Sequence, residues 1–250
     1  MGWNAMTPSD EVEAARWIRE RLHPLARDVG AVVPEGFEAY ARIFHPARAL
    51  HDTEVRWSEV AAASGRTVHP EMQFHSIAAP LPGRENAQWV WSGEPWTGTL
   101  SRRQAGALIP LLARNTSTPD RCWFCLWEGY GYLTGGMAVA YLWPVDEPKP
   151  PPRLLRPPPP KLPKARVRLP HRVYVLFTGP VAQAEGWEDG PNLWWPNDRA
   201  WCVASEIDFP YTYVGGSARL IQEILVDPSL EALPATIHDG ITADRDTINS

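Results

Sequence analysis

Arg121-Cys122-Trp123-Phe124-Cys125-Leu126-Trp127-Glu128 reads as a β-strand with two apolar faces. Side chains alternate across a strand, so Cys122, Phe124 and Leu126 share one face while Trp123, Cys125 and Trp127 share the other. A strand that is apolar on both sides belongs inside a sheet covered above and below. Met137–Trp143 and Val173–Thr178, rich in β-branched and aromatic residues, read the same way. Trp201–Phe209 is expected as a further strand, with Trp201, Val203, Ser205, Ile207 and Phe209 on one face. Its other face changes from small to acidic, through Ala200, Cys202 and Ala204 to Glu206 and Asp208. A short strand is also expected at Gln88–Trp91, inside a stretch (66–99) that otherwise has no clean period.

Helical signals lie on either side of this sheet. Ser9 is an N-cap candidate, Asp10 and Glu11 suit the positive end of a helix dipole, and Val12, Ala15, Ile18 and Leu22 form an apolar face that Pro24 ends. A second helix is expected from Pro34 or Glu35, with Phe37, Tyr40, Ala41 and Phe44 on one face and His45-Pro46 as its stop. A third is expected from a Thr53 cap through Val55, Trp57 and Val60 to Gly65. Ser101 and Gln104 form a capping box, and Leu108, Ile109, Leu111 and Leu112 give that helix its apolar side, with Pro110 expected to bend it. The last helix is capped by Ser217, turns Leu220, Ile221, Ile224 and Leu225 inward, and stops at Asp227-Pro228. The expectation is an α+β fold in one domain over residues 1–250. N-terminal helices pack on a mostly antiparallel sheet, with a C-terminal amphipathic helix.

Composition limits the function classes. The net charge of −5 argues against nucleic acid as a partner, because displacing counterions takes a basic surface. The longest apolar run, Met137–Trp143, is far too short to cross a membrane. Met1–Asp10 carries no basic stretch followed by an apolar one, so no export signal is expected. The three cysteines do not make a disulfide framework, and the expected compartment is the cytoplasm. Between Pro148 and Pro170 lie ten prolines, with eight Lys or Arg across Lys149–Arg172. This segment, 148–170, is expected as a basic, extended surface loop, although one P-x-x-P-x-R match leaves a ligand for a proline-reading domain open. Residues 185–250 hold twelve acids against three arginines, so the basic loop is expected to lie across an acidic surface.

Most chemical motifs dissolve on inspection. Cys122 and Cys125 point to opposite faces of a strand, which suits neither a zinc site nor a redox pair at a helix N-terminus. His45, His51, His69 and His75 show no i, i+4 spacing, and Ser205 lacks the glycines of a nucleophile elbow. Gly215-Gly216-Ser217 allows an anion at a helix start, yet it also fits an ordinary turn. Neither a metal nor a cofactor is expected. The remaining candidates are Glu128, Glu206 and Asp208, close in sequence to tryptophans, and the irregular run Asn192, Trp194, Trp195, Asn197, Asp198 and Arg199. If the two strands are neighbours, these residues would line one acidic, aromatic rim. Flat rings beside carboxylates suit a sugar cleft, in which two acids act as acid and base. Alternatively, the acids pair with Arg199, Arg121 or the basic loop.

The blocks Arg121–Gly131 and Asn192–Asp208 together resemble an uncharacterised family of bacterial proteins, a likeness that implies no activity. Pro34-Glu-Gly-Phe37-Glu-Ala-Tyr40, followed by a sheet and the helix Ser217–Val226, is similar to the SUKH superfamily of immunity proteins and cell-wall regulators. His45-Pro46 departs from that pattern, where an Asn-Gly type ending is expected. The resemblance implies a non-enzymatic binder with an immunity-like role. The leading expectation is therefore a cytoplasmic interaction protein whose acidic aromatic surface, around Trp194–Asp208, receives a basic protein partner. The rival is a hydrolase or carbohydrate-handling enzyme with a tryptophan-lined carboxylate site.

Overall fold

The computed structural model describes residues 6–24, 27–84, 90–133, 161–187 and 190–249. Among the described residues there are eleven strands: β1 (Thr7–Pro8), β2 (Ala39–Phe44), β3 (Ala47–Arg48), β4 (Glu54–Val55), β5 (Cys122–Trp127), β6 (Val167–Arg168), β7 (Val173–Gly179), β8 (Leu193–Pro196), β9 (Cys202–Ala204), β10 (Tyr211–Gly216) and β11 (Ala232–Ala235). The helices are α1 (Arg16–Arg21), α2 (Trp57–Ser64), α3 (Phe74–Ala78), α4 (Arg102–Arg114) and α5 (Ala218–Val226). Nine strands form one sheet in the order β1-β7-β5-β8-β9-β10-β2-β11, with β6 also paired to β7, while β3 and β4 form a small ribbon. Every pairing in the large sheet is antiparallel. The fold is α+β.

β5 is interior, flanked by β7 and β8, and its two faces feed two separate cores. Trp123 and Cys125 join Trp17, Ile18, Trp57, Val60 and Phe74 of α1–α3. Cys122, Phe124 and Leu126 join Leu108, Leu112, Leu220 and Ile224 of α4 and α5. The sheet is thus the middle of three layers, and the two-sided reading of 121–128 holds. The expected capping box of α4 and the Ser217 cap of α5 are present. Gln104 N donates to Ser101 Oγ (3.2 Å), Ser101 N donates to Gln104 Oε1 (3.3 Å), and the helix runs on through Pro110. Leu220 N likewise donates to Ser217 Oγ, with Leu220, Ile221 and Ile224 buried beneath α5. This helix is not the last element, since β11 follows it and completes the sheet edge beside β2.

Three expectations are corrected. The second expected helix is a loop running into β2, whose Tyr40 and Phe44 face one core while Ala41 and Ile43 face the other. A strand buried on both sides lacks the apolar–polar alternation that marks a strand, so chance i, i+3, i+4 spacing can imitate a helix. The third helix begins after Arg56 rather than Thr53, because Glu231 accepts from the backbone N–H groups of Trp57 (2.6 Å) and Ser58 (2.7 Å). A carboxylate from a distant segment satisfies the helix start there. The strand expected over Trp201–Phe209 stops at Ala204, and a turn closed by Phe209 N to Glu206 O (3.0 Å) follows. Met137–Trp143, Gln88, Trp89 and residues 148–160 lie outside the described residues, and Val90–Trp91 is not strand. Among the described residues, no helix is long and apolar enough to cross a membrane.

Candidate functional site

Trp194 and Trp195 sit in β8 opposite Phe124 and Trp123 of β5, and both are buried. Alternation sends them to different cores. The Trp194 ring stacks on Phe124 at 6.1 Å and meets Trp201 edge-on at 5.6 Å, while Trp195 meets Trp17 edge-on at 6.3 Å. The expectation that this pair forms a working surface is overturned. Pro196 does not interrupt the strand; it occupies a ladder position opposite Cys122.

Their polar neighbours hold the fold in place. Asn192 is buried; its Oδ1 accepts from Trp127 N (2.8 Å) and its Nδ2 faces Tyr130 Oη (3.1 Å). Asn197 Oδ1 accepts from the Trp123 indole N–H (3.3 Å). Asp198 accepts from Thr116 Oγ1, Ser117 N and Ser117 Oγ, each at 2.7 Å, which ties the 116–118 loop to the turn after β8. Burial pushes its carboxyl up, but the hydrogen bonds from Ser117 and Thr116 outweigh this and hold it below the usual carboxylate range. Arg199 is exposed, at φ +59°, with its guanidinium 5.7 Å from the Trp17 ring centre.

The three acids do not make a cleft. Arg172 donates to Glu206 (2.7 and 3.0 Å) and to Asp208 (2.7 Å), and Arg166 donates to Glu128 (2.7 Å). Of the basic stretch Lys149–Arg172, Arg172 meets the C-terminal acids Glu206 and Asp208, whereas Arg166 within the expected loop reaches Glu128, outside the C-terminal part. The hollow between Leu169, Arg172, Tyr174, Asn192, Ser205 and Glu206 has an interior of only ≈ 20 Å³, room for about one water. A sugar ring does not fit, and each acid is engaged by a guanidinium. The geometry on which the hydrolase reading rested is not present.

Beside this hollow runs a buried polar chain. His45 Nδ1–H donates to Trp96 O (2.7 Å), so neutral Nε2 accepts from Thr212 Oγ1 (2.8 Å), which lies 2.6 Å from Ser205 Oγ. Full burial pushes His45 down to about 4 and keeps it neutral. Ser205 reaches another hydroxyl rather than the imidazole and is itself buried, so the chain does not set up a nucleophile. All three cysteines are buried and free, and burial pushes the Cys122 thiol up to about 12. His69 is likewise committed, 2.7 Å from the buried Asp246 carboxylate.

Sequence reasoning missed the residue that stands out. Of the tryptophans among the described residues, Trp96 alone is classed as exposed, at 62 %. Its ring lies 4.1 Å from the Arg48 guanidinium, which also donates to Glu94 O (3.2 Å). That guanidinium rests on Gly93, where an added Cβ would come within 3.0 Å of it. Backbone bonds between Arg48 and Gly93 (3.0 Å) fasten the 92–96 segment to β3, and His45 holds Trp96 O from beneath. Leu50, also exposed, lies two residues beyond Arg48. The available signal was a tryptophan among Pro, Gly and Ser with no period to bury it.

No protein-family model, curated protein or solved structure matches this chain. The functional reading therefore rests on the geometry of the site.

Proposed function

We propose that this chain is a cytoplasmic, non-enzymatic binding protein that engages a basic protein partner through a surface centred on the exposed Trp96 ring. The observation that carries the reading is the exposed Trp96 ring, stacked on a guanidinium and held on a backbone that is fastened at both ends. Tryptophan and arginine dominate the energetics of protein interfaces, and a pre-positioned pair loses little side-chain freedom on binding. The absence of a free acid in the expected cleft favours binding over hydrolysis. Three buried, unpaired thiols suit a reducing compartment. The net charge of −5 favours a basic partner, whose association would weaken as salt is raised. The SUKH resemblance implied the same class of function. Its Pro34–Tyr40 segment forms a loop and the start of β2, so the reading stands on Trp96 and not on that likeness.

The test is affinity capture from lysate at low and moderate salt, with wild-type protein and a folded Trp96→Ala variant side by side. A basic partner retained in stoichiometric amount by the wild type and lost from W96A is expected. No partner at any salt, or equal retention by both proteins, would overturn the reading.

A further inference from the structure

A second cluster lies away from Trp96, where residues 23–30 meet residues 237–240. His23 follows α1, Asp28 precedes a short 3-10 turn, and His238 lies in the turn after β11. Backbone hydrogen bonds join the segments that carry them. Val29 N donates to Asp239 O (3.0 Å), Gly30 N to Ile237 O (3.0 Å) and His23 N to Gly30 O (2.8 Å). Gly30 is needed for a steric reason, since an added Cβ would meet the His23 ring at 2.3 Å.

The side chains converge on one point. His23 Nδ1 is 3.0 Å from both Asp28 carboxylate oxygens, and His238 Nδ1 is 4.0 Å from Asp28 Oδ2. One ligand atom from each of the three residues lies within 4.8 Å of the other two. Ligands at about 2.0–2.1 Å from a tetrahedral zinc stand roughly 3.4 Å apart, so modest rotations close the set. His238 is free to make them, with its side chain 79 % exposed. On the other edge of the His23 ring, Nε2 lies 3.4 Å from Glu35 Oε2. With Nδ1 turned to a cation, Nε2–H would donate to that carboxylate, the outer arrangement that fixes the tautomer of a metal-bound histidine. The His238 ring also stacks on that of His23, with ring centres 6.0 Å apart.

We propose that His23, Asp28 and His238 form a binding site for a borderline divalent cation such as Zn²⁺, with Glu35 as the positioning carboxylate for His23. Two imidazoles and one carboxylate suit zinc and its first-row neighbours, whereas Mg²⁺ prefers oxygen ligands. Three protein ligands leave a coordination position for water or for a group from outside. The bound cation would also tie the segment after α1 to the turn after β11.

The test is calorimetric titration of untagged, chelator-treated full-length protein with ZnCl₂ and, separately, MgCl₂, together with thermal melts. One saturable zinc per chain and a zinc-dependent rise in Tm are expected, without saturable Mg²⁺ binding. His238→Ala, at an exposed position, should keep the fold by circular dichroism and weaken zinc binding about tenfold or more. Glu35→Gln should weaken it by roughly ten- to a hundredfold, and His75→Ala, on α3, should leave it unchanged. No saturable zinc binding, equal binding of Mg²⁺, or a folded H238A protein that binds as tightly as the wild type would overturn the proposal.

Discussion

Two tryptophan-bearing regions of this molecule behave in opposite ways. β8 carries two adjacent tryptophans and buries both, one into each core. The 92–96 segment carries one in an irregular stretch and exposes it. The dense region looks more like a binding surface in the sequence, yet its rings are spent on the sheet. Density of aromatic residues tracks burial here because alternate faces of an interior strand both need large apolar groups. The lone residue projects because its backbone is held by hydrogen bonds rather than by packing of its own ring.

The largest expected effect separates the two regions by stability. Trp194→Ala and Trp195→Ala should each cost about 3–5 kcal/mol in urea unfolding. Trp96→Ala should stay within about 0.5 kcal/mol of wild type. A W96A protein as unstable as W194A would break the contrast.

The second effect concerns what holds the 92–96 segment from below. His45 is neutral in the folded protein down to about pH 4, whereas an unfolded histidine takes up a proton below about 6.5. Unfolding therefore binds a proton between these values. Stability should fall as pH drops from about 6.5 toward 4, by up to about 1.4 kcal/mol per unit from this group. Urea midpoints that stay flat or rise across that window would contradict a buried neutral His45. Next in size, Thr212→Val removes the donor to His45 Nε2 and strands the Ser205 hydroxyl, which should cost about 1–3 kcal/mol.

How much of this was legible beforehand follows from which signals are local. β5 was readable as a short continuous apolar run, and the starts of α4 and α5 because capping is written in adjacent residues. β2 was not, because burial on both faces erases its period and leaves a helical-looking spacing. The burial of Trp194 and Trp195 was hidden by Pro196, which suggested an irregular segment. Charge composition foreshadowed the pairing of acids with the basic stretch, but not that Arg172 would hold Glu206 and Asp208 together. His23 and His238 lie near opposite ends of the chain, and only the fold brings them side by side.

The smallest effect is expected at the acids themselves. Arg172→Ala frees Glu206 and Asp208 from partly exposed ion pairs, and its stability cost should be under about 1 kcal/mol, shrinking further at high salt. A large, salt-independent loss would mean that these pairs matter more to the fold than their exposure implies.

The most direct measurement compares the two surfaces in one binding assay. The affinity of the captured partner is measured for wild type, Trp96→Ala and Asp208→Asn, each checked for native circular dichroism. The expected result is a loss of about thirtyfold or more for W96A, the size of a hot-spot truncation, with D208N within about twofold of wild type. Full affinity in W96A with a large loss in D208N would place the binding surface back on the acidic turn.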